Sequence, residues 1–300
     1  MTSQQRRALS RAFGGVTGAA AAVIVLGLVV VLVDAFAGGW GALSWRFFTE
    51  GPGEDFTQGG IFPAIYGTAV LTLLMTVAVM PFGVATAIYL HEYARPEERL
   101  ARWVRAAIHN LAGVPSIVFG LFGLGFFIHT VGRGLDAVSG GGMRWGQPGL
   151  LWAALTLAVL TLPVVIVATE EALRAVPQEL RLASLALGAT RAQTLARVTL
   201  PRAAPGILTG AVLAVSRGAG EVAPVLLTGV AFYLPELPGS LSSQFMHLGY
   251  HTYVLATQAP DVDAARPMLY GTVLVLLALT FALNLLAVLL RARARRTLRS

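Results

Sequence analysis

The sequence predicts an all-α membrane protein of six transmembrane helices, a single domain over residues 1–300 with both termini in the cytoplasm. Three observations carry this. Of the 300 residues 56 % are hydrophobic and 12 % charged, whereas a soluble domain carries about 25 % charged residues. The apolar residues gather into six runs, each near the ~20 residues that cross a hydrocarbon core. The arginines then alternate across those runs: the N-terminus, second loop, fourth loop and C-terminus hold three, four, five and five, and the other loops one, two and one. Basic residues accumulate on the cytoplasmic side, which orients the chain.

Composition also excludes several classes. All 22 basic residues are arginine, so the lysine of a phosphate-cradling P-loop is missing and the chain is not expected to hydrolyse ATP. Without cysteine there are no disulfides, thiol nucleophiles or thiolate metal sites. The net charge of +7 comes from arginines flanking apolar runs, which explains it as a topology signal and not as a nucleic-acid footprint. No cofactor is expected.

Arg6, Arg7 and Arg11 precede the first run, 16–37. A signal peptide starts similarly, but its apolar core is about 7–15 residues long. This run is longer and lacks a clear cleavage site, so it is expected to remain as the first span. Trp40 and Trp45 follow at interfacial positions, and Asp34 reads as interfacial too. The loop beyond them carries Glu50, Glu54 and Asp55. The second span covers 66–90, with Pro81 inside it. A basic connection containing Arg95, Arg99, Arg102 and Arg105 leads to the third span, 108–128, whose Gly113, Gly120 and Gly123 suit close helix packing. The fourth span is 149–169, the fifth 206–230 and the sixth 268–290. Asn284 in the last is expected to make an interhelical hydrogen bond.

Between the fourth and fifth spans, residues 170–205 form a polar stretch with its own helical punctuation. Pro177 followed by Gln178 and Glu179 reads as a helix start. Leu182, Leu185 and Ala186 recur at helical spacing, and Gly188 stops the helix as a residue able to take the left-handed conformation. Thr190 and Gln193 make a capping-box pattern, so a second helix begins at once and is expected to end near Leu200–Pro201. Two short helices meeting at a glycine, with one apolar face, form a knob that another protein could grip. An ordinary amphipathic hairpin on a membrane surface has the same pattern.

Within the fifth run stands SRGAGEVAPVL, 216–226. Arg217 is eleven residues beyond Gly206, about 16 Å in at ~1.5 Å per residue and close to the middle of a ~30 Å core. Glu221 is four residues later, on the same helix face, where the two can pair. Intramembrane charges are costly and face a bundle interior or a wet cavity, which makes this pair a candidate for function. A buried pair kept for packing alone would look the same. His247 and His251, at i, i+4, could contribute to a metal site. A closed zinc site needs four ligands, no third is in sight, and the loop is expected to lie outside; no metal is expected.

Four stretches resemble one family. PFGVATAIYLHEYARP (81–96) and NLAGVPSIVFGLFGLGFF (110–127) are similar to the corresponding segments of phosphate-importer permeases. Ala183, Gly188, Leu200 and Pro201 fall on the E-A-A-x-x-x-G and Leu-Pro pattern of ABC-importer permeases, with Leu182 where the family has Glu and Ser184 where it has the second Ala. Arg217, Gly220, Glu221, Ala223 and Pro224 match R-x-x-G-E-x-A-P. The chain is thereby identified as resembling permeases of the phosphate-specific ABC importers, type I fold.

The resemblance implies a plasma-membrane subunit beside a second homologous permease, a cytosolic ATPase dimer and an extracytoplasmic phosphate-binding protein. Arg217 and Glu221 would line the path of inorganic phosphate. Leu182, Ala183, Gly188, Ala189, Leu200 and Pro201 would make the loop that couples to the ATPase. Membrane lipid surrounds the subunit and no nucleic acid is implied. A permease for sulfate or molybdate is the nearest alternative. An intramembrane enzyme would need Glu221 and the two histidines to converge, which their expected depths oppose; no G-x-S-x-G, H-E-x-x-H or P-loop is present.

Overall fold

A computed structural model of the protein describes residues 3–53, 57–95 and 97–297, the side chains of 3–11 and 294–297 excepted. Glu54 and Asp55, and the side chains of Arg6, Arg7, Arg11, Arg295, Arg296 and Arg299, lie outside the described residues. The chain is almost wholly helical. Among the described residues the strand-like pairings are two isolated bridges, Pro52 with Gly59 and Val230 with Phe245. Six helices are long and apolar enough to cross a membrane: Ala12–Ala42, Phe62–Tyr93, Ser116–Val138, Leu150–Arg174, Arg191–Gly218 and Val262–Arg293.

Helix α1 (Ser3–Gly39) is followed by a 3-10 turn, Trp40–Ala42, and by α2 (Trp45–Thr49). The long α3 (Phe62–Ile88) carries Pro63 in its first turn, where a missing N–H costs nothing, and runs on as a π-helical turn, Tyr89–Tyr93. Next come α4 (Arg99–Leu111), then α5 (Ser116–Phe122), a π-helical segment (Gly123–Gly132) and α6 (Arg133–Val138) as one rod. The third span therefore does not open near Ile108. Pro115 sits in an extended conformation, φ −57° and ψ 140°, and separates the arginine-bearing α4 from the apolar rod.

The fourth span, α7 (Leu150–Arg174), is the most deeply buried of the six. Beyond it lie α8 (Gln178–Ala186) and α9 (Arg191–Thr194), a π-helical turn (Leu195–Thr199), and α10 (Leu200–Gly218). A second correction follows: the helix opened by Thr190 does not end at Leu200–Pro201. Pro201 falls in the first turn of α10 directly after the π-helical turn, and widening the ring there accommodates a residue with no N–H to donate. The fifth span is thus Arg191–Gly218 and stops well short of residue 230. The chain restarts as α11 (Ala223–Thr228), continues to α12 (Leu248–Thr257), and finishes in α13 (Val262–Thr297).

The core lies between α3 and α7. Leu71, Met75 and Val79 of α3 meet Leu150, Ala153, Ala154, Leu157 and Val165 of α7, with Ala214 of α10 and Val225 of α11 closing over them. Threonines in this seam bond within their own helices. The hydroxyls of Thr72, Thr156 and Thr161 donate to the carbonyls four residues earlier, at 2.7–2.8 Å, which satisfies them where no water is available. Helix α1 packs on α13 chiefly at its end: Gly39 lies so close to Tyr270 that a Cβ would fall 2.6 Å from the Tyr270 carbonyl carbon. The Tyr270 hydroxyl donates to Asp34 at 2.8 Å, giving that intramembrane-edge carboxylate a partner.

Candidate functional site

Two places gather the polar chemistry of the bundle: the interruption of the fifth span, and the arginine-rich end that carries α8 and α9. At the interruption α10 ends on Gly218 and α11 begins at Ala223, with Pro224 in its first turn. Gly218 and Gly220 weaken the helix, and Pro224 has no N–H to continue it. Gly218 is also pressed against α3, where an added Cβ would run into the Met75 sulfur. Arg217 is the penultimate residue of α10 and Glu221 belongs to the link. The structure brings them together, Nε to Oε1 3.7 Å, but across a helix end and not along one face. At that separation the pair is an ion pair without a hydrogen bond. Non-helical backbone at membrane depth is tolerated where protein covers it or where it lines a wet cavity. Next to Arg217, the Ser216 hydroxyl donates to Asn284 Oδ1 of α13, the interhelical bond expected of Asn284.

At the arginine-rich end, Gly188 has φ +86°, the left-handed conformation expected of a helix-stopping glycine. The Gln193 N–H donates to Thr190 Oγ1 at 3.2 Å and the Thr190 N–H to Gln193 Oε1 at 2.9 Å, so the capping box is complete. Ser184, which departs from the family's alanine, shares a 2.9 Å hydrogen bond with Thr194 and ties α8 to α9. Leu182 is 57 % and Leu187 90 % exposed, and Ala183 is exposed beside them. Ala189, Leu200 and Pro201 are half-buried where the elbow joins the bundle.

The same end holds a network that the sequence did not disclose. Arg181 of α8 donates through Nη1 to Glu92 Oε1 at 2.6 Å and through Nη2 to the Leu173 carbonyl at 2.6 Å. Arg105 of α4 donates to both oxygens of Glu170, at 3.0 and 3.2 Å, and to the Leu90 carbonyl at 2.8 Å. Glu92 and Arg181 are 89 residues apart. The one signal available was an acid and a base at the polar ends of apolar runs assigned to the same side.

The histidines, expected in a loop, are buried in the fold. Residues 245–248 fold inward, and the Leu248 N–H donates to Thr68 Oγ1 of α3 at 2.9 Å. His247 is 0 % and His251 6 % exposed. His247 Nδ1 caps α12 by accepting the Tyr250 N–H at 3.4 Å; its Nε2 and both nitrogens of His251 have no partner. Burial alone pushes both imidazoles down to about 4. Among the described residues no group of three or more His, Asp or Glu stands close enough to hold a metal. Nor is Glu221 bonded to either histidine.

Comparison with known proteins places this geometry. The fold is that of ABC-importer permeases. A permease chain from the crystal structure of a bacterial alginate ABC transporter with its periplasmic protein superposes with TM-score 0.62 at 18 % identity, covering 93 % of each chain. One from the inward-facing MetNI methionine ABC transporter gives 0.59 at 20 % identity, over 77 % of this chain and 94 % of that one. In sequence, the chain is 35 % identical over 281 residues to the phosphate transport system permease protein PstA 1 of Mycobacterium tuberculosis (strain CDC 1551 / Oshkosh), 91 % of this chain and 86 % of that protein. It is also 35 % identical over 214 residues to the probable ABC transporter permease protein YqgI of Bacillus subtilis (strain 168), 71 % and 68 % of the two chains. Residues 79–296 match the binding-protein-dependent transport system inner membrane component family from near the middle of α3 to the end of α13. The chain belongs to that family.

Proposed function

We propose that the chain is the permease subunit through which an ABC importer takes up inorganic phosphate. The observation that carries the reading is the Arg217–Glu221 pair at the broken fifth span, in a chain 35 % identical to a phosphate transport permease over 91 % of its length. A fixed guanidinium at this depth offsets part of the desolvation cost of a phosphate anion. The carboxylate beside it competes for the same cation and keeps binding weak enough for release. The planar fork of arginine matches phosphate oxygens, which a compact ammonium does not.

The arginine-rich end faces the cytosol, and both termini with it. The α8–α9 elbow docks on a cytosolic ATPase, presenting Leu182 and Leu187, with Gly188 setting the angle between the two helices. A second permease completes the path, an extracytoplasmic binding protein delivers the phosphate, and ATP is hydrolysed by the partner, because this chain carries no P-loop lysine.

Labelled phosphate uptake by cells carrying the complete importer tests this. Arg217→Gln abolishes uptake and Arg217→Lys lowers it about tenfold, with the complex still present in the membrane. The double variant Arg217→Gln, Glu221→Gln stays inactive. Near-normal uptake in the double variant would make the pair a packing device. Inhibition of wild-type uptake by sulfate or molybdate at equal concentration would reassign the substrate.

A further inference from the structure

We infer that Arg181 and Glu92 form a strap that carries movement of the α8–α9 elbow into α3, and through α3 to the interruption beside Arg217. The inference rests on the reading of that elbow as the ATPase-docking element. Helix α8 packs on α9 and on the turn 195–199, and the Arg181 side chain ties it to the π-helical turn that prolongs α3. That side chain holds two separate elements at once, with Nη1 on Glu92 at the end of α3 and Nη2 on the Leu173 carbonyl at the end of α7. Both charged side chains are largely desolvated, Arg181 18 % and Glu92 21 % exposed. Loss of either partner leaves the other charge uncompensated, so the strap has one preferred state.

The far end of α3 gives the strap something to move. Glu92 lies 17 residues beyond Met75 along one helix, about 25 Å at ~1.5 Å per residue. Met75 is the side chain seated against Gly218, one residue from Arg217 and at the end of α10. A shift of α3 along or about its axis changes the room at Gly218, and with it the setting of Arg217 against Glu221. Arg105, bonded to Leu90 and to Glu170, braces the same end of α3 on α7, so α3 moves as a packed unit and does not fray. Coupling carried this way needs a contiguous physical chain, and each link here is a named contact.

The test uses the whole importer, reconstituted with its second permease, ATPase and binding protein, in wild type, Arg181→Gln, Glu92→Gln and the swap Arg181→Glu with Glu92→Arg. Three quantities are read: ATPase retained on purification, ATP hydrolysis, and phosphate transported per ATP. Each single variant is expected to keep the ATPase and to hydrolyse ATP, while phosphate moved per ATP falls about tenfold; the swap recovers a large part of it. Unchanged phosphate per ATP in both single variants overturns the strap. So does loss of the assembled complex in both, since the pair is then a folding contact. If the wild-type chain retains no ATPase, the docking reading itself has failed, which the variants are not needed to see.

Discussion

His247 and His251 are titratable groups held where a charge is hardest to carry, buried in the fold-back between α11 and α13 with three ring nitrogens unpartnered. Their folded values of about 4 lie below the ordinary 6.5, so the folded state binds fewer protons than the unfolded one between those limits. The stability this neutrality supports is complete above pH 6.5 and is lost as pH falls toward 4. The loss amounts to about 2 kcal/mol per histidine by pH 5. The purified protein should therefore melt at a lower temperature at pH 5 than at pH 7.5, and His251→Leu should shrink that difference. His247→Leu is expected to cost stability at both pH values, because it also removes the α12 cap, while His247→Asn keeps an acceptor there. Equal melting shifts with pH in wild type and His251→Leu would refute the assignment. None of this burial was legible in the sequence: the loop is polar at its edges, and what draws it inward is contact with α3, the Leu248 N–H on Thr68 and the packing of Met246 and Leu248 with Ile61 and Ala64.

The α8–α9 elbow is the element whose local signals agreed best with the structure, because each is chemistry within four residues. Gly188 takes its positive φ and Thr190 with Gln193 closes the capping box. The next step was not legible, since a proline normally ends a helix and the π-helical turn that absorbs Pro201 has no sequence signature of its own. In the fifth span Gly218, Gly220 and Pro224 did mark a break, but the apolar residues on both sides of it read as one run. At Gly188 a side chain would meet nothing within 4 Å, so a substitution there is governed by backbone alone. Gly188→Asn, a residue at ease in the left-handed region, should leave ATPase co-purification near wild type. Gly188→Val should lower it several-fold with membrane insertion intact, since a β-branched residue adds more than the roughly 1–2 kcal/mol that any Cβ costs there. Equal co-purification in both variants would mean the elbow angle does not matter for docking.

For the whole molecule, six apolar runs and alternating arginines sufficed to read a helical membrane bundle. What they could not supply is which spans touch: the pairing of α3 with α7 and the fold-back of 245–257 come from packing, and uniformly apolar helices do not encode it. Orientation is directly measurable because the chain has no cysteine, so a single introduced thiol reports alone. A cysteine at position 141 should react with an impermeant maleimide in intact cells, and one at position 187 only after the membrane is opened. The opposite pattern would invert the topology. The chain purified without its partners should hydrolyse no ATP; hydrolysis by the bare subunit would overturn the division of labour.

An importer at rest must also be an insulator. A file of water along the seam between α3 and α7 would carry protons down the membrane potential and dissipate it between turnovers. Such a file needs hydroxyls free to hand hydrogen bonds along it, whereas Thr72, Thr156 and Thr161 each donate inward to their own helix. Thr68 donates likewise to the Ala64 carbonyl, and its oxygen is taken by the Leu248 N–H. Charge stands instead at the break of the fifth span, where the Arg217 guanidinium, if it lines the phosphate path as proposed, also repels protons. On that reading the seam stays closed to water while the phosphate path opens at the break that adjoins it.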